Sequence, residues 1–484
     1  MASLKKEMSK GVFWSAIQKY SSIGISIVVM MVLARILSPE QFGVVAISTV
    51  AINFLTIFST MGIAPAIIQR KDLNSEDYNN IYTFSLVIGL LLSIIFFFLS
   101  KVIADFYEDN DLLAICRILT VSLFFASANM VPNALMSKDK RFKELAIRTL
   151  VLSIVSGVVS IVAALLGFGI YSLLITPIFN SIGIFLYNKR FYPLKISRRF
   201  SIRPIKKIFT YSIYQFSFEI SIFLANNLDK LLIGKLISSS ELGFYDKAHN
   251  LMKTPTSLLT SVVSPVIQPF MSRYQDDMKK MVYSHNKIVK ILSTLSFPIS
   301  VILYFSGSEI IKVFFGMGWE RAVPCFKIFA LVLPVQMILS TSGAFWQSTN
   351  STNYLFGVGL FNTLITLAGY IISSFLFGTI EAIAYSYVIS YLLAFFVTYF
   401  FMYRKVFKER VSSLLLLLRS PLLNAFILGV AYFLLQGLEF NYIVMLIIKL
   451  MVGFLITISY IQISGRYDLV ALVNSFKKKQ NNYE

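Results

Sequence analysis

Long apolar windows alternate along this chain with short breaks at Gly, Pro and charge clusters, and each window is about the length a helix needs to cross a bilayer. The pattern predicts fourteen spans, near residues 11–37, 41–66, 79–104, 112–136, 145–167, 169–188, 208–236, 241–270, 286–307, 324–348, 354–377, 379–402, 414–436 and 440–463. One window breaks the pattern. Residues 209–243 are long and apolar enough to cross, yet they carry Gln215, Glu219, Asn226, Asn227, Asp229 and Lys230. At 100° per residue, Gln215, Glu219, Asn226, Asp229 and Lys230 fall inside an arc of about 100°. Ionisable groups at membrane depth turn toward a bundle interior or a wet cavity, so the seventh span reads as a cavity wall. The competing reading is that Asp229 and Lys230 neutralise each other in helix packing.

The eighth span extends the polar face. Asp246, Asn250, Lys253, Ser257, Ser261, Ser264 and Gln268 form one stripe, with a milder counterpart of Thr49, Asn53, Thr56 and Thr60 in the second span. In the first span Ser15, Gln18, Ser22 and Ser26, and in the tenth Gln336, Ser340, Gly343 and Gln347, serve close packing as readily as cavity lining. Mid-depth cations are different, because packing does not need them: Lys253 ranks first, Lys230 second and Arg117 third. Arg35 and Lys235, at span ends, read as snorkelling to the interface rather than as ligand contacts. His249 has no metal-ligand pattern around it and reads as a hydrogen-bonded helix residue before a proton relay. Pro255, Pro265 and Pro269 invite bending of the eighth span, which suits a gate.

Composition narrows the class. Of 484 residues, 56% are hydrophobic and 14% charged, with mean hydropathy +0.72, a balance that soluble domains do not reach. The net charge of +20 would point to nucleic acid only on a basic soluble domain, and the charges here sit in short loops, so no nucleic-acid partner is expected. Cys116 and Cys325 have no pairing pattern, and neither a metal nor a cofactor is expected. The basic N-terminal flank precedes a span too long for a signal h-region, so the first helix is expected to be retained. Lys and Arg concentrate in alternate connections, from Lys5, Lys6 and Lys10 to Lys477, Lys478 and Lys479, while 105–111, DFYEDND, is acidic. Both termini are therefore expected on the cytoplasmic side.

The chain also repeats itself. At an offset of 200 residues, LARILSPEQFG (33–43) lies over IGKLISSSELG (233–243), pairing Arg35 with Lys235, Ser38 with Ser238 and Gly43 with Gly243. Further on, Thr56, Thr60 and Pro65 meet Thr256, Thr260 and Pro265; 6 of the 38 positions from Leu33 to Arg70 are identical, without a gap. The offset spans an even number of helices, which predicts a parallel duplication with a binding site between two six-helix lobes. The expected divisions are 1–200, 201–404 and a tail of 405–484 holding two sparsely polar, lipid-facing helices. Enzyme signatures are absent: no HExxH, GxSxG, phosphate-cradling GxxxxGK[ST] or acidic pair in a roomy loop. The longest connection, about 20 residues between the sixth and seventh spans, is basic.

Three segments carry a resemblance: RILSPEQFGVVAIS, KDKRFKELAIRTLVLSIVSGVVSIVAALLGFGIYSLL and NNLDKLLIGKLISSSELGFYDKAHNL. They resemble the polysaccharide-transporter family of bacterial lipid-linked oligosaccharide flippases, in the superfamily that includes the multidrug and toxic compound extrusion transporters. The likeness is nearest the branch exporting exopolysaccharide, colanic-acid-like or teichuronic-acid-like units, and covers the first eight spans best. It implies a non-enzymatic, multi-pass protein of the bacterial cytoplasmic membrane, all-α, with two lobes that open alternately. The implied cargo is an undecaprenyl-diphosphate-linked glycan whose lipid stays in the bilayer. A diphosphate needs cations, which Lys253, Lys230 and Arg117 supply, and the amides and hydroxyls of Asn226, Asn250, Asn53 and Ser257 suit a glycan. Glu219 or Asp229 would couple transport to H+ or Na+. Polymerase or export machinery is the expected protein partner. The rivals are a drug/cation antiporter of the same architecture, a membrane-embedded enzyme of polymer synthesis and a scaffold for an envelope-synthesis complex.

Overall fold

The computed structural model describes residues 2–464 apart from 61, 71, 198–199, 272–273, 276 and 439. Within its helices the side chains of 2–10, 207–215, 217–218, 259, 261–266 and 268–270 lie outside the description, so Gln215, Ser261, Ser264 and Gln268 are placed by backbone alone. Among the described residues every regular element is helical: α1 (Ala2–Leu33), α2 (Pro39–Thr60), α3 (Ile63–Gln69), α4 (Ser75–Tyr107), α5 (Asp111–Lys138), α6 (Phe142–Leu165), α7 (Ser172–Phe191), α8 (Arg203–Leu236) and α9 (Ser239–Met271). There follow α10 (Met278–Phe305), α11 (Gly307–Phe315), α12 (Val323–Leu339), α13 (Ser342–Ser348), α14 (Thr352–Leu376), α15 (Ile380–Phe401), α16 (Val411–Leu435) and α17 (Tyr442–Ile463). The chain is an all-α, multi-pass membrane protein: among the described residues, 12 helices are long and apolar enough to cross. The two long helices outside that set are α8 and α9, of 34 and 33 residues, which have the length but carry the polar faces. By length and composition twelve of the fourteen expected spans are met among the described residues, and α8 and α9 fall short at least in part on polarity.

Local chemistry sets several boundaries. Asn74 caps α4, its side chain accepting from the Asp77 amide at 2.8 Å while Asp77 accepts from the Asn74 amide at 3.3 Å. The second expected span breaks at Gly62, whose φ of 64° leaves the helical region and separates α2 from α3. α9 runs unbroken through Pro255 and Pro265.

By packing, the chain forms two compact units, residues 1–247 with 363–386, and 248–362 with 387–484. In the first, α1 packs on α6, α4 on α5, α5 and α6 on α7, and α8 on α2, α3 and α4. A buried cluster of Ile63, Ala66, Ile67, Ile81, Tyr82, Val131 and Ala134 joins α3, α4 and α5. The Gln18 amide donates to Thr149 Oγ1 at 3.0 Å, so this first-span polar residue serves packing of α1 on α6. Repeat-related glycines touch reciprocally: a Cβ on Gly43 would overlap the Ser239 carbonyl, and one on Gly243 would overlap the Pro39 carbonyl. Only residues without a side chain allow two helix starts to approach that closely.

In the second unit α10 packs on α12, α16 and α17, and α11 on α12 and α17. The two C-terminal helices expose Leu415, Leu416, Phe426, Phe433, Leu434, Phe454 and Leu455, as a lipid-facing pair would. They are also anchored by charge, which their sequence did not announce. Lys449, in mid-α17, is buried with its ammonium 2.6 Å from Glu309 Oε1 and 2.7 Å from the Phe305 carbonyl.

Candidate functional site

The polar faces of α8 and α9 meet around the two-residue turn Ile237–Ser238. Residues at similar distances from such a turn stand at similar depth, which places Lys230 within one residue's rise of Asp246 and Asp229 within one residue's rise of Lys247. Lys230 Nζ lies 2.7 Å from Asp246 Oδ1, and Lys247 Nζ lies 3.1 Å from Asp246 Oδ2. Tyr245 donates its hydroxyl to Asp229 Oδ2 at 2.9 Å, and Asp229 is fully buried. The Lys247 ammonium also stands 4.7 Å from the centre of the Phe42 ring. The hydrogen-bonded ion pair of Lys230 is thus with Asp246 rather than with Asp229, the partner that the competing reading gave it. One buried carboxylate, Asp246, serves two lysines, and a second, Asp229, is held by a tyrosine. Counting six residues at 1.5 Å each back from Leu236, the cluster lies about 9 Å from the helix end.

Sequence reasoning assigned no role to Lys247 or Tyr245, and it put Asp246 on the stripe without naming its partners. Lys247 sits off the α9 stripe by 100°, so a one-helix periodicity cannot find it. The signal that finds it is the register across the turn.

The connection between α4 and α5 packs against this turn. Lys235 pairs with Glu108 Oε1 at 2.9 Å and lies 5.0 Å from the Phe106 ring centre, so it neither snorkels alone nor stands free for a ligand. Ser239 Oγ is 3.5 Å from Asp109 Oδ2, and Tyr107 donates to the Leu231 carbonyl at 3.4 Å. The hydrogen bond from Lys235, reinforced by its charge, holds the Glu108 carboxyl below its ordinary value of 4.5.

The remaining candidates divide between the two units. In the first, Asn53 is exposed on α2, and Asn226 is exposed on α8 with its amide donating to the Ile222 carbonyl at 2.8 Å. Glu219 is half-buried on α8. Arg117 is exposed on α5 with its guanidinium 4.7 Å from the Phe97 ring centre. In the second, Asn250 is exposed, Lys253 and Ser257 are half-buried, and all three continue the α9 face that carries Asp246. His249 is buried, stacked on Phe329 at 4.8 Å and edge-on to Tyr387 at 5.0 Å, an aromatic setting in place of a metal site. Among the described residues no group of His, Cys, Asp or Glu could hold a metal ion.

A membrane-spanning helical bundle with two polar helices and charges held below its surface defines a transporter-like membrane protein. The chain belongs to the family described as "Polysaccharide biosynthesis protein", which it matches over residues 32–324. It is 23% identical over 428 residues to the lipopolysaccharide biosynthesis protein WzxC of Escherichia coli strain K12, covering 87% of this chain and 85% of that one. It is 24% identical over 383 residues to the teichuronic acid biosynthesis protein TuaB of Bacillus subtilis strain 168, covering 76% and 78%. The succinoglycan biosynthesis transport protein ExoT of Rhizobium meliloti strain 1021 matches at 23% over 358 residues, covering 73% and 70%. Among solved structures, the inward closed lipid II flippase MurJ superposes with a TM-score of 0.75 at 17% identity, covering 95% of this chain and all of that one. An inward-facing multidrug resistance MATE transporter of the MOP superfamily gives 0.59 at 14% identity, covering 81% and 94%. These two likenesses establish the fold.

Proposed function

We propose that this protein is a flippase that moves an undecaprenyl-diphosphate-linked oligosaccharide repeat unit across the cytoplasmic membrane for surface polysaccharide synthesis. The observation that carries the reading is the pair α8 and α9. In a chain whose other long helices suit lipid, these two spend their membrane length on amides, hydroxyls and lysines. Lys253 supplies charge for a diphosphate, joined by Lys230 and Lys247 in a state that releases them from Asp246, and Asn226, Asn250, Asn53 and Ser257 supply hydrogen bonds for sugars. Arg117, exposed on α5, is a fourth source of charge along the lipid path. The relatives' names speak of polysaccharide biosynthesis and transport and the MurJ name of lipid II, which supports a lipid-linked glycan as cargo.

The mechanism we infer is alternating access, with residues 1–200 and 201–404 rocking as duplicated lobes and α8 and α9 crossing the membrane as the seventh and eighth of fourteen spans. Both termini lie in the cytoplasm. Differential binding of cargo to the two states biases the rocking. Glu219 or Asp229 binds a coupling H+ or Na+, and polymerase or export machinery receives the product. The protein itself performs no covalent chemistry.

The test is transbilayer movement of a fluorescent polyprenyl-diphosphate glycan in liposomes holding the purified protein, with and without an ion gradient. Movement that requires the protein and falls with Lys253→Ala supports the reading. Absence of movement, with gradient-driven uptake of an organic cation instead, replaces it with the antiporter.

A further inference from the structure

Arg148, in the second turn of α6, is a buried cation for which the function above has no use. It is 5% exposed, and its Nη1 donates to Asn188 Oδ1 on α7 at 2.6 Å and to Asn133 Oδ1 on α5 at 3.1 Å. Its Nε is buried without a partner. Among the described residues Nη2 has no hydrogen-bond partner and no carboxylate pairs with the guanidinium, although Glu144 lies one turn earlier on the same helix. An arginine stays charged in a protein, and a buried charge whose partners are all neutral is costly. Such a residue persists where something compensates it.

The amides around it state what that is. A guanidinium has no acceptor, so it fixes the oxygens of Asn133 and Asn188 toward itself. Asn188 must then present its NH2, which donates to Asn129 Oδ1 at 2.7 Å. This relay turns the Nδ2 groups of Asn133 and Asn129 outward, and among the described residues neither has a partner. Asn129 and Asn133 are four residues apart on α5, hence on one face, and both are half-exposed. The free groups are therefore all donors: the Nε–Nη2 edge of the guanidinium, which is the edge that grips an oxyanion at two points, and two amide NH2 groups.

We propose that Arg148, with Asn129, Asn133 and Asn188, forms an oxyanion site inside the first unit that takes a phosphate group. Four donors without an acceptor fit a tetrahedral anion with several terminal oxygens. The site lies six residues into α6, about 9 Å from its start, beside the turn carrying Lys138, Lys140, Arg141 and Lys143. That basic rim draws anions from the same side of the membrane. The phosphate comes from a phospholipid headgroup or from a free or cargo-borne diphosphate, which offer the same oxygens. The site does not depend on the flippase reading, since a resident lipid would fill it in any transporter.

The test uses the full chain in detergent and in nanodiscs. In detergent, sodium diphosphate is titrated against sodium chloride of equal ionic strength while the melting temperature is followed. In the second arm, protein from phosphatidylglycerol nanodiscs is weighed by native mass spectrometry for retained lipid. The decisive variant is Asn133→Asp, which gives Arg148 an internal carboxylate at a position already 3.1 Å away and so keeps the protein folded. Arg148→Gln is the companion. Wild type binds in at least one arm, and Asn133→Asp melts higher without ligand while its affinity falls at least about tenfold, or about 1.4 kcal/mol. A diphosphate response alone assigns the site to the free or cargo anion, and lipid retention alone assigns it to a headgroup. No binding in either arm, or binding that Asn133→Asp leaves unchanged, overturns the site and makes Arg148 a tie between α5, α6 and α7.

Discussion

The reciprocal contact of Gly43 and Gly243 gives a sharp prediction because it involves backbone on both sides. A Cβ on Gly43 would stand 2.6 Å from the Ser239 carbonyl carbon and 3.1 Å from the Gly243 nitrogen. A Cβ on Gly243 would stand 2.7 Å from the Pro39 carbonyl carbon and 3.2 Å from its Cα. Ordinary contact for carbon begins near 3.5 Å and the carbonyl oxygens lie nearer still, so the starts of α2 and α9 would have to part by more than about 1 Å, with no rotamer change to absorb it. Overpacking of this kind costs about 1–3 kcal/mol, and the absence of a yielding side chain puts each single change, Gly43→Ala and Gly243→Ala, near the upper end. The two substitutions press on the same approach, and one separation relieves both. The double variant should therefore cost about as much as the worse single, not the sum. Thermal unfolding of the detergent-solubilised variants measures this, each single lowering the apparent midpoint by about 5 °C, at roughly 2 °C per kcal/mol for a large chain. Singles indistinguishable from wild type would refute the close approach, and strict additivity would refute its reciprocity.

Three further outcomes follow from buried or paired charges. Asp246→Ala leaves Lys230 and Lys247 without their shared carboxylate and should destabilise by about 3–5 kcal/mol, whereas Lys230→Ala leaves Lys247 on Asp246 and should cost clearly less in the same melting assay; equal losses would contradict the shared pairing. Lys449→Met should likewise cost about 3–5 kcal/mol through the stranded Glu309, and adding Glu309→Leu should recover much of it; if the double variant melts below the single, the ion pair does not anchor α17. The Glu108 carboxyl is held below 4.5 by Lys235, so the pair contributes stability above that value and loses it as pH falls through the lowered folded-state value. The difference in melting temperature between wild type and Lys235→Met should be steady from about pH 6 to 8 and vanish in acid, and a difference growing on acidification would reverse the assignment.

Much of this protein is written in one dimension. Burial of backbone polar groups in lipid permits only helices or closed barrels, so apolar windows of span length fix the all-α bundle and nearly every helix position. Periodicity of 3.6 likewise fixes which residues of α8 and α9 share a face, and it singled out Lys230, Lys253, Asp229 and Asp246. The offset of 200 residues pointed to Gly43 and Gly243, whose reciprocal contact the fold then displays. What the chain alone left open is which charge meets which. Lys230 pairs across the turn with Asp246 rather than with its sequence neighbour Asp229, Lys235 finds Glu108 at a separation of 127 residues, and Lys449 finds Glu309 at 140. The pairing of Arg148 with asparagines instead of Glu144 belongs to the same set. The physical reason is range. Hydropathy and helical period act along the chain and can be read from neighbours, whereas a buried charge is satisfied by whichever group the packing of distant helices brings within about 3 Å, and only the tertiary structure decides that.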